Sequence, residues 1–167
     1  MRDVGVVSEG MWEGEKTLGV RLSWDKRYIT LAPVATLLGL AFHLHDPDNL
    51  LGKGENPGIT LALVPASHKG VVIGRRHYPA RSAFMNGPTS GKDVFIPIDF
   101  LIGGTDYAGQ GWRMLMECLS TGRAISLPAI GSISIKQSLR VTSAYARIRR
   151  QFGLAMVRSR PRPRARY

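Results

Sequence analysis

The side chains best suited to chemistry in this sequence are arginines. Arg149, Arg150 and Gln151 gather just before Phe152-Gly153, at the end of a stretch with helical periodicity. Guanidinium forks match phosphate oxygens two at a time, so this cluster fits a phosphate or pyrophosphate clamp. A helix C-terminus also favours cations on dipole grounds alone, so plain capping fits the same residues. Further upstream, Arg123 falls on the same helical face as Leu119 and Ser126, where a guanidinium aimed at packed surface requires an anion or carbonyl. His43 and His45 lie two apart on an expected strand and so share a face, the spacing of a chelating pair. No carboxylate or cysteine is spaced to complete such a site, and surface imidazoles are the plainer reading. Gly103-Gly104 and Gly109-Gln110-Gly111 precede the helical stretch, where backbone donors can cradle a phosphate. Met114 stands where the last glycine of a full G-x-G-x-x-G is required, which favours a turn and helix start. Glu117 is the only carboxylate after Asp106 and thus the only candidate base within the helical part, although it lies off the apolar stripe. No nucleophile elbow, P-loop or usefully spaced Cys/His pair is present.

Composition bounds the classes. The 167 residues carry 23 Lys+Arg against 12 Asp+Glu, a formal charge of +11. Residues 1–117 hold 12 basic and 12 acidic side chains, whereas 118–167 hold 11 basic and none acidic, so the excess sits in the last third. That distribution excludes a nucleic-acid coat spread uniformly over the fold. A 44% hydrophobic and 21% charged chain buries a real core, which excludes bulk disorder. The single cysteine, Cys118, fits a reducing compartment and a buried, inert thiol. The longest mostly apolar stretch, residues 31–44, contains Pro33, Gly39 and His43 and is too short for a membrane-spanning helix. With no apolar signal core at the start, the expectation is a cytoplasmic chain without a transmembrane segment.

The elements that must position these residues divide in two. Short β-branched or alternating runs at 17–24, 26–30, 34–44, 59–65, 71–77 and 92–98 are separated by turn residues, among them Asp46-Pro47-Asp48-Asn49, Asn56-Pro57-Gly58 and Asn86-Gly87. Strands without crossover helices predict an antiparallel β-barrel or sandwich and disfavour a parallel doubly wound sheet. From Gly109 apolar or small residues recur at three-and-four spacing, through Trp112, Leu115, Leu119, Ile130, Ile133, Val141 and Ile148, which predicts a long amphipathic helix. Pro128 predicts a kink or break near 122–127. The fold class is therefore α+β. The end, 157–167, alternates Arg with Pro161 and Pro163, cannot propagate a helix, and reads as a disordered basic tail.

Taken in order, the runs K-R-Y-I-T at Lys26 to Thr30, G-I-T-L-A-L-V-P from Gly58, F-M-N-G-P-T from Phe84, K-D-V-F-I-P from Lys92, G-Q-G-W from Gly109, G-R-A-I-S-L-P from Gly122 and Y-A-R-I-R-R-Q-F-G from Tyr145 resemble the acyl-CoA dehydrogenases, closest to the large bacterial fatty-acid-degradation type. The resemblance implies a fragment of such an enzyme: residues 1–108 as the middle β-domain, 109–154 as the first helix region of the C-terminal helical domain, and 155–167 as the basic tail. It further implies FAD as cofactor, fatty acyl-CoA as substrate, an electron-transfer acceptor, and a homo-oligomer for the full-length protein. The reaction is α,β-dehydrogenation to the trans-2-enoyl-CoA, in which flavin takes the β-hydride and a glutamate the α-proton.

Residue by residue, Tyr28 and Thr30 match the aromatic and hydroxyl positions of a strand that lies against the flavin ring, with tyrosine standing where tryptophan is common. Arg123 matches a helix arginine near the acyl-CoA site. Arg149 and Gln151 match an element that reaches the flavin pyrophosphate of a neighbouring subunit. The family's catalytic glutamate has no counterpart, so no catalytic residue is assigned and the isolated chain is expected to be inactive. A small basic protein that binds nucleic acid or another polyanion is the alternative, though without aromatic interleaving or a base-reading motif no specific nucleic-acid target is expected.

Overall fold

The computed structural model describes residues 3–150; Gln151, Phe152 and the Arg/Pro stretch lie outside the described residues. The chain divides into two compact units, 1–116 and 117–167.

The first unit is one open six-stranded sheet. Its strands are β1 (Val4–Trp12), β2 (Glu15–Thr30), β3 (Leu37–His45), β4 (Gly58–Pro65), β5 (Val71–Ile73) and β6 (Asn86–Pro97), in the spatial order β4-β3-β1-β2-β6-β5. The sheet does not close into a barrel. Its two edges are β4 and the three-residue β5, and β5 pairs only with β6, through Val71 to Ile73. Nor is it wholly antiparallel, since β1 pairs parallel with β3 at Val4↔His43 to Val6↔His45.

Local chemistry explains the long β1–β2 hairpin. Trp12 and Glu15 pair across Glu13 (φ 51°) and Gly14 (φ 91°), so both central residues of a two-residue loop take the left-handed conformation that a twisted hairpin demands. Asn86-Gly87 forms no turn: it opens β6, buried, paired with Thr30 and Ile29. Glycine is needed at 87 for space, because a Cβ there would meet Pro33 Cγ at 2.8 Å.

Alternation along the strands places every second residue in one core. It draws Val20, Leu22 and Trp24 from β2, Leu38, Leu40, Phe42 and Leu44 from β3, Ala62 and Val64 from β4, and Val94 and Ile96 from β6. Full burial of such side chains contributes about 1.5–3 kcal/mol each. The one indole in this core keeps its polar edge satisfied: Trp24 Nε1 donates to Thr89 Oγ1 at 3.2 Å.

Helix α1 spans Gly111–Ile148 as a single uninterrupted element with Pro128 inside it. Of the kink or break expected near 122–127, the break is absent, since the helix runs through Pro128 without interruption. Proline removes one donor there, that of its own nitrogen toward the Ala124 carbonyl, and leaves the remaining helical hydrogen bonds in place. From Glu117 to Arg150 every described residue is exposed. Besides the face bearing Leu119, Ile130, Ile133 and Val141, helical spacing puts Ile125, Ile135 and Leu139 on the opposite side, so the helix carries two apolar faces where the sequence suggested one stripe. Between them, on one flank, run Lys136, Arg140 and Arg147. Cys118 is exposed and not buried as expected.

Candidate functional site

The end of β2 is shaped by a bulge. Between Lys26↔Thr89 and Ile29↔Gly87, β2 sets two residues, Arg27 and Tyr28, against the single Pro88 of β6, and Tyr28 has a left-handed φ of 55°. Holding a non-glycine residue there costs on the order of 1–2 kcal/mol. The surroundings fix it. Asn86, 5% exposed, donates from Nδ2 to the Tyr28 carbonyl at 3.1 Å, and just beyond the strand the Leu31 N–H donates to the Met85 carbonyl at 2.9 Å. The phenol ring is thereby held outward, 65% exposed, and lies 4.9 Å between centroids from the ring of His77. Thr30 pairs with Asn86 and is also exposed. The strand end exposes an aromatic ring at Tyr28 and, two residues on, a threonine, residue types able to meet a planar ligand and hydrogen-bond its rim.

The arginines belong to the second unit. Arg123 and Arg149 stand on or beside one continuous helix, which spaces them roughly 39 Å apart along its axis. They therefore cannot grip the same phosphate group. The Arg149 N–H donates to the Tyr145 carbonyl at 2.8 Å, its guanidinium donates to the Tyr145 hydroxyl, and its charge lies 5.6 Å from the Tyr145 ring centre. Arg123 is exposed. Gln151 lies outside the described residues.

Gly109 and Gly111 serve packing. The Gly109 N–H donates to Thr60 Oγ1 at 2.9 Å, and a Cβ on Gly109 would stand 2.3 Å from the Pro57 carbonyl oxygen. On Gly111 it would stand 2.7 Å from the Ile59 carbonyl oxygen. The Gly109 N–H is thus committed to protein, and both glycines are required by close backbone packing. Of the histidine pair, His45 Nδ1 is hydrogen-bonded to Asn56 Oδ1 at 2.7 Å, and His43 is exposed.

A larger cleft, of about 540 Å³, opens elsewhere, between the β1–β2 hairpin and β6 beside Trp12, His68 and Phe95. Trp12 is engaged by stacking on His68 at 5.4 Å and by the edge of Phe100 at 5.5 Å, so its ring is occupied by packing. What the sequence reading passed over is the segment next to Tyr28. Residues 56–92 hold five Lys/Arg and no Asp or Glu, a signal lost when charge is counted over 1–117 as a block.

No protein-family model matches the chain. "Protein HemX" of Proteus mirabilis is 60% identical over 104 residues, covering 62% of this chain and 61% of that protein. "Probable acyl-CoA dehydrogenase FadE10" of Mycobacterium tuberculosis is 32% identical over 102 residues, 60% of this chain and 15% of that protein. Among solved structures, a putative acyl-CoA dehydrogenase from Mycobacterium smegmatis superposes with a TM-score of 0.60 at 19% identity, over 96% of this chain and 36% of that one. The fold is shared with acyl-CoA dehydrogenases. The FAD complex of PigA matches as well, with a TM-score of 0.55 at 23% identity over 93% of this chain and 36% of its own. The chain thus spans about three fifths of its Proteus relative and little more than a third of these two structures. Among the described residues no helix is long and apolar enough to cross a membrane.

Proposed function

We propose that this chain is part of a flavin-dependent oxidoreductase of the acyl-CoA dehydrogenase type, of the large fatty-acid-degradation class. The observation that carries the reading is the bulge at the end of β2, where the Tyr28 ring is exposed two residues before the exposed Thr30. The residues fit the group: a flat aromatic face takes a tricyclic ring by stacking, and the threonine hydroxyl reaches a heteroatom at its edge. Bound FAD supplies a two-electron acceptor for the β-hydride of an acyl thioester. The chain's own residues orient and bind. Tyr28 and Thr30 fix the ring plane, Arg149 and Gln151 address a pyrophosphate, and Arg123 addresses the acyl-CoA.

The span of roughly 39 Å along α1 supports separate tasks for the two arginines, with Arg149 meeting the cofactor of another subunit. A base for the α-proton must come from outside 118–167, which holds no carboxylate. Titration of the purified chain with FAD tests the reading. Flavin fluorescence should be quenched on binding, and the apparent Kd should rise about tenfold in Tyr28→Ala and in Thr30→Ala. Flavin that is not quenched, or that both variants bind as tightly as the unaltered chain, refutes the assignment.

A further inference from the structure

Beside Tyr28 the chain makes a basic excursion that the flavin reading does not use. It leaves and rejoins the sheet at β6: the Gly74 N–H donates to the Pro88 carbonyl at 3.0 Å, and the His77 N–H donates to the Asn86 carbonyl at 2.8 Å. Between Gly74 and Asn86 it carries Arg75, Arg76, His77 and Arg81 and no acidic residue. Ala80 (φ 49°) and Arg81 (φ 59°) are both left-handed, a conformation that L-residues avoid and that recurs where a backbone clamps a ligand. None of the three arginines has an ion pair among the described residues. Salt bridges among the described residues include Lys16–Glu9, Arg21–Asp93 and Lys26–Asp3.

Polar satisfaction fails at the same place. Five buried side-chain polar atoms among the described residues lack a hydrogen-bond partner, and three of them, Arg76 Nε, His77 Nδ1 and Asn86 Oδ1, belong to this excursion and its anchor. Such atoms are rare in folded proteins because each forfeits its solvation, so three together call for a missing partner. The rings beside them are exposed. Arg76 lies 4.8 Å from the Tyr78 ring centre, Tyr78 is 62% exposed, and the Tyr28 ring rests on His77.

We propose that Arg75, Arg76 and Arg81 form an anion site for the phosphate of a nucleotide-like ligand. A phosphate drawn to the three guanidinium groups pulls Arg76 off Tyr78, and Arg76 Nε gains the acceptor it lacks. Asn86 Oδ1 and His77 Nδ1 belong to residues paired across one β-bridge next to Arg76, and want, respectively, a donor and a hydrogen-bond partner. A ligand carrying a hydroxyl or amine near its phosphate meets both needs better than phosphate alone. The freed Tyr78 face then offers a surface on which a base stacks.

Calorimetric titration of the full chain with ADP, inorganic pyrophosphate and adenosine tests the site. ADP and pyrophosphate are expected to bind, with ADP the tighter, and adenosine to bind at least tenfold more weakly than ADP. Arg75→Ala, Arg76→Ala and Arg81→Ala should each raise the ADP Kd about tenfold, the effect of one lost charge-assisted hydrogen bond. The triple variant Lys136→Ala, Arg140→Ala, Arg147→Ala removes as much charge from α1 and should change it less than threefold. Equal losses in the two sets would mean nonspecific polyanion attraction and overturn the site, as would adenosine binding as well as ADP, or no binding of ADP. A cooperative melt for each variant shows that the fold is intact. Tyr28→Ala keeps this inference separate from the flavin reading, because it removes the ring that FAD needs and leaves the three arginines in place.

Discussion

Replacing Gly109 with alanine separates the two uses of a glycine-rich turn before a helix. Gly109 has a φ of 85°, and a Cβ there would lie 2.3 Å from the Pro57 carbonyl oxygen and 2.9 Å from its carbonyl carbon. Both atoms are backbone and cannot swing aside. The left-handed conformation alone costs about 1–2 kcal/mol for alanine. Forcing the 57–60 segment away costs roughly 1–3 kcal/mol more, in the manner of an overpacked core. A destabilisation of about 2–5 kcal/mol follows. At roughly 2–4 °C per kcal/mol for a chain of this size, the melting temperature should fall on the order of 10 °C. Gly52→Ala is the matched control: Gly52 has a φ of 69°, and a methyl group added there would meet nothing within 4 Å, so only the conformational part applies. Thermal unfolding followed by circular dichroism compares the two. If Gly109→Ala melts within about 2 °C of Gly52→Ala, the backbone contact is not what demands glycine. If it instead abolishes phosphate binding while melting as wild type, the turn is a phosphate cradle and its assignment to packing is wrong.

Two further outcomes check the same architecture. Thr60→Val keeps the shape of a side chain that is 1% exposed but removes the acceptor of the Gly109 N–H, so it should cost about 1–3 kcal/mol in urea unfolding while Thr60→Ser costs less. Cys118 is exposed on α1, so a maleimide should label it in the native chain as fast as it labels the urea-unfolded chain; strong protection would show that this face is covered in solution.

Most strands were legible because their signals are local. The alternation of Val20, Leu22 and Trp24, or of Leu38 to Leu44, marks a half-buried strand without knowledge of its neighbours. β1 escaped because Glu13-Gly14 is a weaker turn signature than Asn-Gly, and Asn86-Gly87 misled because its composition says turn while its surroundings say strand. The parallel pairing of β1 with β3 joins segments far apart in the chain and leaves no mark on either one. Tyr28 and Thr30 were singled out by resemblance to known motifs, and their role at a site is a proposal. The bulge that aims Tyr28 was invisible, since the sequence does not print a register shift. The Arg75–Arg81 excursion was hidden by arithmetic. Acidic residues in 3–55 and 93–117 cancel its charge on paper, although none of them forms an ion pair with it.

Helix α1 has a thermodynamic consequence of its own. Gly122, Pro128 and Gly131 lie inside it, and together they disfavour a helix by about 5 kcal/mol relative to alanine. From Glu117 on, no burial within the described residues compensates. Any partner that bound the helical form and covered one of its apolar faces would raise its population by mass action. Its helicity should therefore be a property of the mixture in which the chain is studied as much as of the chain itself.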